Sequence, residues 1–126
     1  MMKNRLIQKI IRRIRGEPDV NKLIKLGMKV GKNFCLQPQC MIDESFCWLI
    51  KIGDNVTFAP GVKVFTHDAS SQHHIHYTRV GRVEIGDNTF IGAGSIILPN
   101  VTIGSNCIIG AGSVVSTNIP DNSVWA

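Results

Sequence analysis

Among the side chains able to do chemistry near neutral pH, the histidines stand out. His67, His73, His74 and His76 are the only ones in the chain, and all fall in one polar stretch. His67 ends the run Val62-Lys63-Val64-Phe65-Thr66, where strand-forming residues give way to a loop. A neutral imidazole at such a junction suits removal of a proton from an attacking hydroxyl, because the ring's ordinary pKa of about 6.5 leaves it a free base. His73, His74 and His76 suggest a metal site at first glance. With no histidine outside the stretch, and an adjacent pair poorly placed to chelate one ion, the expectation is no metal and a solvated or substrate-contacting loop. The Gly-Ala-Gly-Ser segments are not nucleophile elbows of the Gly-x-Ser-x-Gly type. Nor do the glycines form a dinucleotide fingerprint, since no strand–turn–helix surrounds them. Direct attack with both substrates bound together is therefore the simpler chemistry. Cys35, Cys40, Cys47 and Cys107 lack paired metal or redox spacing. All four read as reduced and structural, which fits a cytoplasmic location.

What must position these groups is a repeat. From Ile85 to Pro120 the chain reads IGDNTF, IGAGSI, ILPNVT, IGSNCI, IGAGSV, VSTNIP. The first position is always aliphatic (Ile85, Ile91, Ile97, Ile103, Ile109, Val115) and the fifth small or β-branched (Thr89, Ser95, Val101, Cys107, Ser113, Ile119). Residues 85–102 and 103–120 match at half their positions. A period of six fits no helix, whose apolar stripe recurs every 3.6 residues. It fits a short strand and a sharp corner, with three such sides to a coil. First and fifth positions then point inward, because strand side chains alternate between faces. Gly at position two and Asn or Asp near position four suit turns needing positive φ or a local hydrogen bond. Each coil is buried only by its neighbours, which is the logic of a solenoid. Val30, Leu36 and Ile42 form an earlier ladder set, and Ile52, Phe58 and Val64 the next. Extra residues near 45–49, carrying Phe46 and Trp48, must bulge outward or extend a side. A second interruption covers about residues 68–79 and holds the loop histidines.

On these residues, Ile85–Pro120 together with Ile52-Gly53-Asp54-Asn55-Val56, the chain resembles the hexapeptide-repeat acyltransferases, and most of all the sugar and polysaccharide O-acetyltransferases. The resemblance implies an all-β fold: a left-handed parallel β-helix solenoid with a short N-terminal amphipathic helix and one extended loop. The left hand is the family's, since generic crossover rules favour the right. The implied division is a helix and connector over 1–24 and a β-helix over 25–126. The implied activity is transfer of acetyl from acetyl-CoA to a sugar hydroxyl. The segment Thr66-His67-Asp68-Ala69-Ser70 is similar to the one holding the family's catalytic histidine, so His67 is the expected general base. The family lays the donor's pantetheine arm in a groove between subunits, which carries donor binding onto Ala93, Ala111, Ser116 and Thr117. Asp43 and Trp48 are candidates for the acceptor, a carboxylate for hydroxyls and an aromatic for a ring face. A three-sided prism whose groove needs a second wall implies a homotrimer. The chain stops at Val124-Trp125-Ala126, where the family continues with a tail supplying a basic residue to the donor's phosphates. That departure keeps open a competing reading, a catalytically silent structural or assembly module.

The net charge of +5 is misleading as an average. Lys3, Arg5, Lys9, Arg12, Arg13 and Arg15 supply +6, leaving −1 for the rest, so nucleic acid is not an expected partner. Leu6, Ile7, Ile10, Ile11 and Ile14 recur at helical spacing in the same segment, which Gly16 and Pro18 should end. Basic residues break up every apolar run, so it is no signal peptide. Its short stripe favours a helix capping the solenoid's open end. The alternative is a weak contact of residues 3–15 with an anionic membrane surface, peripheral at the inner face.

Overall fold

The computed structural model describes residues 2–126, with side chains from Asn4 onward. The Lys3 charge counted above therefore lies outside the described side chains. Helix α1 (Met2–Ile14) and α2 (Val20–Lys25) lead into a three-sided parallel β-helix. The first coil is β1 (Lys29–Val30), β2 (Cys35–Leu36) and β3 (Met41–Ile42). The second is β4 (Ile50–Ile52), β5 (Thr57–Phe58) and β6 (Lys63–Val64). A hairpin, β7 (His67–Asp68) and β8 (Arg79–Val80), carries one helical turn, α3 (Gln72–Ile75), at its tip. The third coil is β9 (Val83–Ile85), β10 (Phe90–Ile91) and β11 (Ile96–Ile97). The fourth is β12 (Val101–Ile103), β13 (Ile108–Ile109) and β14 (Val114–Val115). Then β15 (Val124–Trp125) opens a fifth.

Every first-position residue falls on a ladder. Val30, Ile52, Ile85 and Ile103 align on one face. Leu36, Phe58, Ile91 and Ile109 align on the second, and Ile42, Val64, Ile97 and Val115 on the third. The first-position Ile and Val of coils three and four are almost wholly buried, as are fifth-position Ser95, Val101, Cys107 and Ile119. Cys40 and Cys107 act as compact apolar fillers, whereas Cys35 is exposed and outside the core. The four thiols are free.

The glycines play another part than expected. Positive φ falls at position four, in Asn88, Asn100, Asn106, Gly94 and Gly112, and not at position two. Position-two glycines are needed because the next coil presses on them. A Cβ on Gly92 would stand 2.5 Å from the Ala111 nitrogen and 2.6 Å from the Ile109 carbonyl. At the corner between the first and second faces, Asn33, Asn55, Asn88, Asn106 and Asn122 all adopt left-handed φ near 57° or within a few degrees of it. Their side-chain amides bond coil to coil at 2.9, 3.1, 3.3 and 3.2 Å. Asn tolerates this conformation best among non-glycines and its amide both donates and accepts. The corner is thus a continuous amide ladder.

The N-terminal end departs from expectation as well. Leu23 of α2 and Met28 are buried and Val20 packs on the same cluster, so α2 closes the open end. The core therefore reaches back past residue 25. Asp19 caps α2 by accepting from the Lys22 amide at 3.2 Å. Helix α1 ends where expected, at Gly16 with φ 66°. It does not cap the solenoid, because its Leu6, Ile7, Ile10 and Ile14 are exposed.

Candidate active site

Two interruptions of the coil meet at one corner. Strands β3 and β6 are ladder neighbours on the third face, so the residues that follow them emerge side by side. After β3 comes Asp43, whose amide donates to the Val64 carbonyl at 2.9 Å. After β6 come Phe65, Thr66 and His67. The Asp43 carboxylate turns into this corner and is 8% exposed. Its Oδ2 accepts from the Thr66 amide at 3.0 Å, the Thr66 hydroxyl at 2.9 Å and His67 Nδ1 at 2.5 Å. Its Oδ1 accepts from the Ser45 amide at 3.1 Å. Burial alone would raise the Asp43 pKa. The donors from Thr66, with those from His67 and Ser45, outweigh it and hold the carboxyl below its ordinary value.

An anionic Asp43 needs a hydrogen on Nδ1, so the neutral ring carries its lone pair on Nε2. The His67 side chain remains 36% exposed, so solvent and substrate can reach it. Phe46, half-buried in the first interruption, packs edge-on against the ring with centroids 5.7 Å apart. Trp48, 55% exposed on the 3-10 turn Cys47–Leu49, stands 5.5 Å from Phe46. The expected outward bulge is thus an aromatic wall beside the histidine.

Of the residues singled out from sequence, the structure brings His67, Asp43 and Trp48 into one cluster. Asp43 differs from its expected role as an acceptor contact. All its bonds go to the protein and it is buried beneath His67, so it orients the ring. Phe46 and Thr66 were not singled out. The ladder pair Ile42–Val64 would have found Thr66, since it sets the segment after residue 42 beside the one after residue 64.

The expected donor residues lie elsewhere on the same face. Ala93 and Ala111 are exposed and stacked on adjacent coils, the Ala93 carbonyl accepting from the Gly112 amide at 2.8 Å. They sit at the corner before β11 and β14. Exposed Ser116 and Thr117 follow β14, on the corner that carries His67 two coils away. Within one chain the alanine pair and His67 stand at opposite edges of the third face. His73, His74 and His76 ride on the hairpin tip, all exposed. Among the described residues no cluster of His, Cys, Asp or Glu is arranged to hold a metal ion.

Residues 82–117 match the family described as bacterial transferase hexapeptide (six repeats). The chain is 44% identical to Protein CapG of Staphylococcus aureus, over 95% of this chain and 71% of that one. It belongs to the hexapeptide-repeat transferases. Within that family it is 36% identical to the putative acetyltransferase YvoF of Bacillus subtilis (strain 168), over 78% of this chain and 55% of the other. Among solved structures it resembles a maltose O-acetyltransferase from Clostridium difficile 630. That match has a TM-score of 0.64, 30% identity and coverage of 95% of this chain and 79% of that one. A hexapeptide-repeat transferase with a paired Asp and His at an interrupted corner has the means to activate a hydroxyl.

Proposed function

We propose that this hexapeptide-repeat protein is an acetyl-CoA-dependent O-acetyltransferase acting on a hydroxyl of a sugar or polysaccharide precursor. The observation that carries the reading is the Asp43–His67 pair, which engages Nδ1 and leaves Nε2 to act, with Phe46 packed on the partly exposed ring and Trp48 packed on Phe46. The acceptor hydroxyl gives its proton to Nε2 as its oxygen attacks the thioester carbonyl. The C–S bond breaks and the proton held on Nε2 passes to the departing thiolate. The products are an O-acetyl ester and a free thiol, and no acyl-enzyme is needed. Asp43 stabilises the imidazolium while it exists and keeps the ring in place. Trp48 offers its face to the apolar side of a sugar ring.

Ala93, Ala111, Ser116 and Thr117 line the donor groove in this reading, and a homotrimer completes it. The outward side chains support that assembly. Phe90 and Ile108 are exposed on the second face, and Met41 and Val114 on the third. The first face presents Lys29, Lys51, Glu84 and Thr102. Two mostly apolar faces, interrupted by Thr57 and Lys63, and one polar face suit a head-to-tail ring. A second copy then supplies the wall that the alanine pair and His67 lack within one chain. The coil takes the left hand of the family it resembles. Free thiols suit a reducing, cytoplasmic setting.

Release of free thiol from acetyl-CoA, followed across sugars, amino acids and aromatic alcohols, tests the reading. Sugar-dependent release supports it. No binding of coenzyme A at millimolar concentration by calorimetry would replace it with the silent module. Light scattering at the single-chain mass of 13.9 kDa under active conditions would remove the trimer.

A further inference from the structure

Helix α1 has no function in the chemistry above, and the solenoid end it was expected to cap is closed by α2. Yet it is strongly two-sided. At about 100° per residue, Leu6, Ile7, Ile10, Ile11 and Ile14 fall within an arc of roughly 140°. Leu6, Ile7, Ile10 and Ile14 are 49–79% exposed, so the stripe is unpartnered in the chain. Arg5, Lys9, Arg12, Arg13 and Arg15 occupy the remaining arc, and the helix holds no acidic residue. Only Glu17, beyond its end and itself mostly covered, approaches the exposed Arg12 and Arg15 among the described residues, at 3.9 and 4.0 Å. Contacts that long, with the guanidinium side chains 60–70% exposed, leave the cations free to meet another anion. Alongside, Lys9, Lys22 and Lys25 line a shallow hollow between α1 and α2, with Asp19 and Asn21.

We infer that α1 is an interfacial anchor that lies in the plane of an anionic lipid surface, apolar stripe inward and cations among the headgroups. An apolar stripe flanked by Lys and Arg with no acids is the composition such helices need. Charge complementarity favours lipid over a second copy of the chain. Protein interface cores are depleted of charge, whereas here Arg13 and Arg15 border the stripe on both sides. A spanning role is excluded by length, since no described helix is long and apolar enough to cross a membrane. The inference goes beyond the proposed transfer reaction and stands without it.

Flotation of the full chain with phosphatidylglycerol/phosphatidylcholine vesicles, against phosphatidylcholine alone, tests it. At about 0.1 M salt the bound fraction should be roughly tenfold higher on the anionic vesicles, and it should fall as salt screens the cations. Ile7→Asp with Ile10→Asp should abolish flotation. Arg5→Gln with Lys9→Gln and Arg12→Gln, which keeps the stripe and the helix, should reduce it to the phosphatidylcholine level. Neither variant should change the vesicle-free mass by light scattering. Equal partition on both vesicles, or undiminished flotation of the aspartate variant, would overturn the inference. So would a smaller vesicle-free assembly in that variant, which would make a second copy the stripe's occupant.

Discussion

Asp43 and His67 are joined at 2.5 Å across two successive coils, Asp43 directly after β3 and His67 at the start of β7, just beyond β3's ladder neighbour β6. Ladder geometry therefore sets Asp43 beside the base of the hairpin, where His67 pairs with Val80. With Thr66 and Ser45 donating to the same carboxylate, the imidazole has one orientation in which its bond is kept. An imidazole held this way suits the direct attack proposed above.

His67→Ala should lower turnover by roughly 2 to 4 orders of magnitude, the usual contribution of a positioned general base. Coenzyme A affinity should persist, because Ala93 and Ala111 sit on other coils. Melting should change little, since His67 stands outside the ladders. Near-native turnover in His67→Ala would remove the histidine from the mechanism.

Asp43→Asn separates orientation from proton transfer. An amide has one acceptor oxygen where the carboxylate offers two, and four donors converge here. At least one donor is left facing an NH2 group, at a cost of about 1–3 kcal/mol. The imidazolium also loses its counter-charge, so kcat should fall by roughly 100-fold or more while donor affinity is kept. A variant with unchanged kcat in steady-state assays would show that Asp43 serves stability alone.

Much of this was legible in the chain because a period of six leaves few ways to fold. Aliphatic Ile85, Ile91 and Ile97 could only stack, and their partners Ile52, Phe58 and Val64 followed from the same count. The corner chemistry was harder to read. A glycine beside a turn suggests positive φ, but the need at Gly92 comes from the coil above, a contact that no local signal reports. Asp43 read as an acceptor contact because three of its four donors, from Thr66 and His67, lie a coil away and only that of Ser45 is local. Helix α1 looked like a cap because amphipathic spacing does not say which apolar surface it meets. The shorter Val20–Leu23 segment reaches the core first.

The amide ladder gives a direct test of the corner. Asn88 accepts from the Asn55 amide at 3.1 Å and donates to Asn106 at 3.3 Å, with φ 53°. Asn88→Gly loses the bonds but tolerates the backbone. Asn88→Ala loses the bonds and also places a Cβ in the left-handed region, at an added cost of about 1–2 kcal/mol. Urea unfolding should therefore rank wild type above Gly above Ala. Alanine as stable as glycine would mean that the ladder bonds, and not the backbone conformation, account for the asparagines.

Acid stability follows from the depressed Asp43 pKa. The folded value lies below that of the unfolded chain, which is about 3.9. The folded state thus binds its proton less readily, and the carboxylate's contribution is fully present above the unfolded value. It is lost as pH falls through the folded one. Below about pH 4 the stability gap between wild type and Asp43→Asn should narrow. Urea midpoints measured across that range check the sign. A gap that widened on acidification would mean that burial outweighs the four donors, leaving a protonated Asp43 as the favoured partner of His67.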